Sequence, residues 1–432
     1  MPLRFEKEHY GRLILIGAAT LMWLFILVSL KVRGYGATWG IWHIPSWRIP
    51  FLDFRLIPGS AESFAHGYEP SIENPYDPTQ RIFNYPAFWR LFFYTGITQD
   101  DSIWISITMI ILFFAGVFLF PEKLSVSGAI GMLLVTFSPA SMLLYERGNV
   151  DLIVFFLCAM IVFATSSSAY LASVLIAFAS IVKLFPFFGI SVLLKESKNK
   201  FLVLSVACFL LLIVYMAATW SSVKAAWNTT MRGNGLSYGT NVFVTRYETA
   251  ISKVFQQWFT PHQTDFLLKY GPLLVGLALL LGVAILAFMN RGLFETSSER
   301  NFAAFRMGAS IYVGTFLLGN NFDYRLAFLI LVMPQLVEWM RSTSRSYRVL
   351  AWTSTILVVL SCWHMWIVPI PLESIFGSMA DSQKFWIILD EAFNWMLFAS
   401  LAYLLIASTP GWVKDQVGIL LPKRIAALST QL

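Results

Sequence analysis

The chain has 432 residues, of which 57% are hydrophobic and 13% charged, with a formal net charge of +7. Soluble globular domains are about 45–50% apolar and about 25% charged, so composition excludes a soluble fold of this size. The positive balance does not indicate nucleic acid, because the Lys and Arg residues are scattered between apolar spans, where they act as topogenic charge.

The first apolar run, Leu13–Leu30, carries no charge over 18 residues, about enough to cross a ~30 Å hydrocarbon core. It is too long for a signal-peptide core and no small-x-small cleavage site follows before Lys31, so it reads as an uncleaved transmembrane helix. The apolar spans in chain order are 12–31, 102–120, 126–145, 150–165, 168–182, 184–194, 201–219, 270–289, 303–318, 325–340, 349–368 and 385–408. The segment 184–194 is short enough to be re-entrant or half of a broken helix. These spans predict an all-α, polytopic integral membrane bundle of about 10–12 transmembrane helices, forming one membrane domain over 1–432.

Basic residues set the orientation. With the N-terminus in the cytoplasm and strict alternation, Arg4, Lys7, Arg12, Lys123, Lys195, Lys198, Lys200, Arg291, Arg300, Arg306, Arg341, Arg345, Arg348, Lys414, Lys423 and Arg424 fall on one face. Both termini are then expected to be cytoplasmic. The other face receives two long loops, 33–101 and 220–269, and the short connections 145–149, the turn around Lys183, 319–325 and 369–384. Within the first loop, Tyr85–Thr95 reads as an interfacial helix. Cys158, Cys208 and Cys362 all lie in apolar spans, and no CxxC spacing exists.

Ionisable groups at membrane depth are costly, which makes them candidates for function. Four constellations map to the face of the long loops. In the first, Asp53 opens a stretch that continues through Glu62, Gly67-Tyr-Glu-Pro70, Asn74-Pro-Tyr-Asp-Pro78 and Arg81-Ile-Phe-Asn-Tyr-Pro86. Asp53 is either a general base or the cap of a helix through 54–66. The second is Tyr145-Glu-Arg-Gly-Asn-Val-Asp151, where Asn149 and Asp151 either cap a helix or face a polar cavity. The third is Ile181-Val-Lys-Leu-Phe-Pro186, whose Lys183 either snorkels or meets a phosphate. The fourth is Asn320-Asn-Phe-Asp-Tyr-Arg325, where Arg325 suits a phosphate and Asp323 is a possible partner for it. Gln99-Asp-Asp101 reads as a helix cap rather than a metal pair, and no DxD motif is present, so neither metal nor cofactor is expected. Asn228-Thr-Thr230 matches a glycosylation sequon.

The order of these motifs resembles the GT-C superfamily of polyprenyl-phosphate-sugar-dependent glycosyltransferases, and most of all glycosyltransferase family 87. The residues that carry the likeness are Asp53, NPYDP and FNYP, ERGNVD, VKLFP and FDYRL. The resemblance implies a GT-C-like first extracytoplasmic loop and a catalytic Asp53. It also implies inverting transfer of a hexose, mannose above others, from a polyprenyl-phosphate sugar to a lipid-linked or glycan acceptor, with no nucleotide donor. On physical grounds, Asp53 would deprotonate the acceptor hydroxyl while Lys183, Arg325 and Arg147 or Arg81 neutralise the departing lipid phosphate. Aromatic residues such as Tyr76, Tyr85 and Trp89 stack on sugars, line the lipid path or form an interfacial belt. The expected location is a bacterial inner membrane with the site extracytoplasmic.

The competing reading is a glycan transporter or flippase, and a further one an oligosaccharide polymerase or ligase. Transporters favour midplane sites and internal repeats. Here the charge gathers at one rim and no repeat is visible.

Overall fold

The computed structural model describes residues 2–229, 235–289 and 298–420. Thr230, Arg291, Lys423 and Arg424, used above for the sequon and the charge count, lie outside the described residues.

Six described helices are long and apolar enough to cross a bilayer: Tyr10–Arg33, Gln99–Leu119, Lys198–Ala218, Pro261–Met289, Arg345–Ile367 and Met379–Ala407. The chain is an all-α polytopic integral membrane protein. Lys198–Ala218 is the clearest case of a lipid-facing helix, since only 11% of its apolar window is buried within the protein.

The expected span 126–145 is a bent pair, Val126–Thr136 and Pro139–Arg147, with 53° between its halves. Pro139 cannot donate into the preceding turn, and the Ser138 side chain caps the new helix by accepting from Ser141 N. The segment 184–194 is a 3-10 helix, Phe185–Lys195, offset from the helix Ala169–Val182 by an extended Lys183 (φ −157°, ψ 134°). The expected span 325–340 divides likewise, into a 3-10 helix Asp323–Val332 and an α-helix Met333–Trp339 with Pro334 in its first turn.

The interior is built on the helix Glu299–Leu317, which is buried continuously from Asn301 to Phe316. Against it pack the helix Asp151–Thr165 and the 3-10 helices Phe185–Lys195 and Asp323–Val332. The helix Glu299–Leu317 is enclosed on all sides between Asn301 and Phe316 because protein, not lipid, surrounds it there.

The loop 33–101 is tied down at several points. Trp42 Nε1 donates to the Phe137 carbonyl at 3.0 Å, Phe51 N to the Glu146 carbonyl at 3.2 Å, and Trp89 Nε1 to the Val182 carbonyl at 3.0 Å. The expected interfacial helix is a 3-10 helix, Ala87–Tyr94, that buries Trp89 and Phe93 and exposes Leu91 and Tyr94. A two-stranded antiparallel pair, β1 (Ser237–Tyr238) and β2 (Asn321–Phe322), joins the segment 220–269 to the start of the Asp323 element.

Candidate functional site

Asp53 lies in the first turn of the helix Leu52–Ala65, not at its cap; the cap position is Phe51. Phe51 holds a left-handed backbone (φ 58°, ψ 41°), unusual for a bulky residue and therefore maintained by its surroundings. Those surroundings are the turn at Gly148, itself left-handed (φ +57°), where an added Cβ would lie 2.8 Å from the Phe51 Cβ and 2.7 Å from Ser106 Oγ. Close approach of these two turns places Asn149 directly over Asp53.

The carboxylate of Asp53 accepts a hydrogen bond from Asn149 Nδ2 at 2.8 Å. Asn149 Oδ1 accepts from Asp151 N at 3.0 Å and from Lys183 Nζ at 3.3 Å. Lys183 Nζ lies 2.5 Å from Asp151 Oδ1, and Arg325 Nε donates to Asp151 Oδ2 at 3.3 Å. Arg325 also donates to Asn321 Oδ1, which fastens it to β2. Four segments far apart in sequence thus meet in one hydrogen-bonded chain, Asp53–Asn149–Lys183–Asp151–Arg325.

Arg81 closes the other side of Asp53, with Nη1 at 3.5 Å from Oδ1. It is held by two bonds to Asp77, Nη2–Oδ2 at 2.9 Å and Nε–Oδ1 at 3.2 Å, and by the Leu52 carbonyl at 2.5 Å. Burial disfavours the guanidinium charge, but the Asp77 carboxylate more than compensates, so Arg81 is held above its ordinary pKa. Asn74 completes this cradle, donating to the Arg81 carbonyl at 2.8 Å and to Ser60 Oγ at 3.1 Å. The NPYDP segment therefore serves to aim Arg81.

Tyr85 forms the floor, its hydroxyl 3.5 Å from the Asp53 carbonyl and its ring 5.9 Å from Lys183 Nζ. Burial, then the nearby Asp53 charge, pushes the phenol well above its ordinary pKa, so it remains a neutral donor. Phe185 packs under both cations, 5.9 Å from Lys183 Nζ and 5.1 Å from the Arg325 guanidinium.

Two other expected residues have different partners. Arg147 pairs with Glu146 (3.1 Å), donates to the Pro45 carbonyl (3.1 Å) and lies 6.0 Å from the Trp47 ring, so it secures residues 45–47 rather than joining the Asp53 chain. Asp323 pairs with His364 (3.2 Å), not with Arg325. In the Gln99–Asp101 turn, Asp101 accepts from Thr98 N at 2.9 Å in a capping box, as a helix cap requires.

The structure adds residues that the sequence reading did not single out. His364, Asp390, Glu391 and Asn394 are buried beside Asp323, inside the helices Arg345–Ile367 and Met379–Ala407. For His364, Asp390 and Glu391 the signal was present as ionisable side chains within apolar spans. A second addition is Arg90, which pairs with Glu69 of the first constellation, with Nη1–Oε1 at 3.0 Å and Nη2–Oε2 at 2.9 Å. The hydrogen bonds from Arg90, with smaller help from Ser71, hold the Glu69 carboxyl down at about 2. No regular spacing relates those two residues.

The crystal structure of ArnT from Cupriavidus metallidurans in the apo state is similar with a TM-score of 0.34 and 11% identity, over 91% of this chain and 78% of that one. No curated protein matches the chain. The model of glycosyltransferase family 87 matches residues 83–318, a stretch that contains Tyr85, Asn149, Asp151 and Lys183. Matched over more than half of its length, this membrane protein belongs to glycosyltransferase family 87.

Proposed function

We propose that this membrane glycosyltransferase moves a hexose, mannose first among them, from a polyprenyl-phosphate sugar to a lipid-linked or glycan acceptor, with inversion, on the extracytoplasmic face. The observation that carries the reading is the Asn149 carboxamide, which joins the Asp53 carboxylate to the Lys183 ammonium at 2.8 and 3.3 Å. A base and an anion site thereby lie one amide apart.

Exposure supports a division of roles. The Asp53 side chain is 22% exposed, whereas that of Asp151 is fully buried between Lys183 and Arg325. Asp53 is thus the carboxylate a substrate can reach, and Asp151 a counter-ion that keeps two cations together without substrate. In the reaction, the acceptor hydroxyl gives its proton to Asp53 as its oxygen bonds to the anomeric carbon. The bond from that carbon to the lipid-phosphate oxygen breaks, and the electron pair leaves on the phosphate. Lys183 and Arg325 are placed to balance that charge, with Arg81 across Asp53 orienting the base. This scheme uses no metal.

The test is transfer from polyprenyl-phosphate mannose in liposomes. Asp53→Asn keeps size and the Asn149 contact but cannot take a proton, so the rate is expected to fall by about 10²–10⁴. Undiminished transfer by that variant would remove the catalytic assignment.

A further inference from the structure

Next to the Asp53 chain is a cleft of about 340 Å³, between the first loop and the helix Trp220–Thr229. That size lies within the roughly 300–1,000 Å³ usual for small-ligand sites. One wall is the Glu69–Arg90 pair with Ser71; Phe83 and Tyr85 supply two rings; Ser222 stands on the helix side.

The chemistry of the lining is specific. Glu69 and Arg90 meet through two near-parallel bonds of 3.0 and 2.9 Å, and Ser71 Oγ donates to Glu69 Oε1 at 2.5 Å. Both planar groups are therefore held rigidly, and each retains unused capacity: lone pairs on the carboxylate, N–H groups on the guanidinium. Because their charges cancel, the pair offers no net attraction to a phosphate or a cation. Fixed donors and acceptors that are jointly neutral suit adjacent hydroxyl groups, and the buried Phe83 and Tyr85 rings give the cleft an apolar base. Tyr85 belongs to both places: it lines the cleft, and its hydroxyl lies 3.5 Å from the Asp53 carbonyl.

We infer that this cleft is the acceptor subsite and that the acceptor is a neutral saccharide, recognised through vicinal hydroxyls by Glu69, Arg90 and Ser222. The inference rests on the transferase reading above for its place in the reaction, though not for binding itself.

Saturation-transfer NMR on the full chain, in lauryldimethylamine oxide micelles that carry no sugar, tests it without turnover. The probes are methyl α-D-mannopyranoside, methyl β-D-glucopyranoside and D-mannose 1-phosphate. At least one neutral glycoside should show saturation transfer. Ala225→Trp and Ser222→Phe, which fill the cleft from an accessible helix face, should each reduce the signal at least fivefold. Arg90→Lys keeps the ion pair but loses the planar fork, and should reduce it at least threefold even if a filling variant does not fold. Asp53→Asn should leave the signal in place, so a failed catalytic assignment and a failed acceptor site give different results. The inference is overturned if neither glycoside shows transfer, if the folded cleft variants retain the full signal, or if only the 1-phosphate binds.

Discussion

Asn149 is neutral, and neutrality lets it touch Asp53 through Nδ2 and Lys183 through Oδ1 without taking either charge for itself. A carboxamide can donate to an anion through its NH2 and accept from a cation through its oxygen at the same time. Asn149→Ala should leave the Lys183–Asp151 pair intact but release Asp53, lowering transfer on the order of 10–10²-fold with little change in melting temperature. Asn149→Asp, which faces Asp53 with a like charge, should cost more activity, and assays of the two variants side by side check that order. The charged members of this chain were legible in the sequence because ions at the ends of apolar spans are costly and therefore conspicuous. Their pairing was not legible: the sequence reading allowed Asp323 for Arg325, whereas the fold gives Asp151 to Arg325 and His364 to Asp323.

Among the elements, the turns bear the positional precision. Gly148 has room for no side chain between Ser106 and Phe51. Gly148→Ala should therefore displace the entry to the Leu52–Ala65 helix, destabilising the protein by about 1–3 kcal/mol, with loss of transfer exceeding that of surface Gly→Ala controls; thermal unfolding and assay together read it. The first loop has its own pH response. The Glu69 carboxyl sits at about 2 in the folded protein against an ordinary 4.5. Its contribution is therefore fully present above about pH 4.5 and disappears as pH falls through about 2. With Glu69 40% exposed, solvent screening limits this to about 0–1 kcal/mol. Glu69→Gln should flatten that part of a melting-temperature profile between pH 5 and 2, and an unchanged slope would show that the pair contributes nothing. The long lipid-facing helices were legible from length and hydropathy. The breaks at Ser138–Pro139 and Lys183 were less so, since whether a proline kinks a span or ends it depends on what packs against the freed backbone.

For the whole molecule, the proposed orientation makes a simple prediction. A fluorescent protein fused to the C-terminus should fold and fluoresce in bacterial cells, and alkaline phosphatase fused after Thr229 should be active; the reverse pattern would invert the proposed sidedness. Asp53, Asp151, Lys183 and Arg325 come from the first turn of the helix Leu52–Ala65, two internal helix ends and the first turn of the 3-10 helix Asp323–Val332. Their convergence depends on the helix Glu299–Leu317, against which three of the surrounding elements pack. By itself the sequence determined membrane character, the candidate charged residues and a family likeness, because transfer cost and motif order are properties of the chain read in one dimension. The tertiary structure decided which cation meets which carboxylate, that Asp53 is reachable while Asp151 is sealed, and that Glu69 and Arg90 pair to form one wall of a cleft. Those are questions of distance and burial between segments, and only packing sets them.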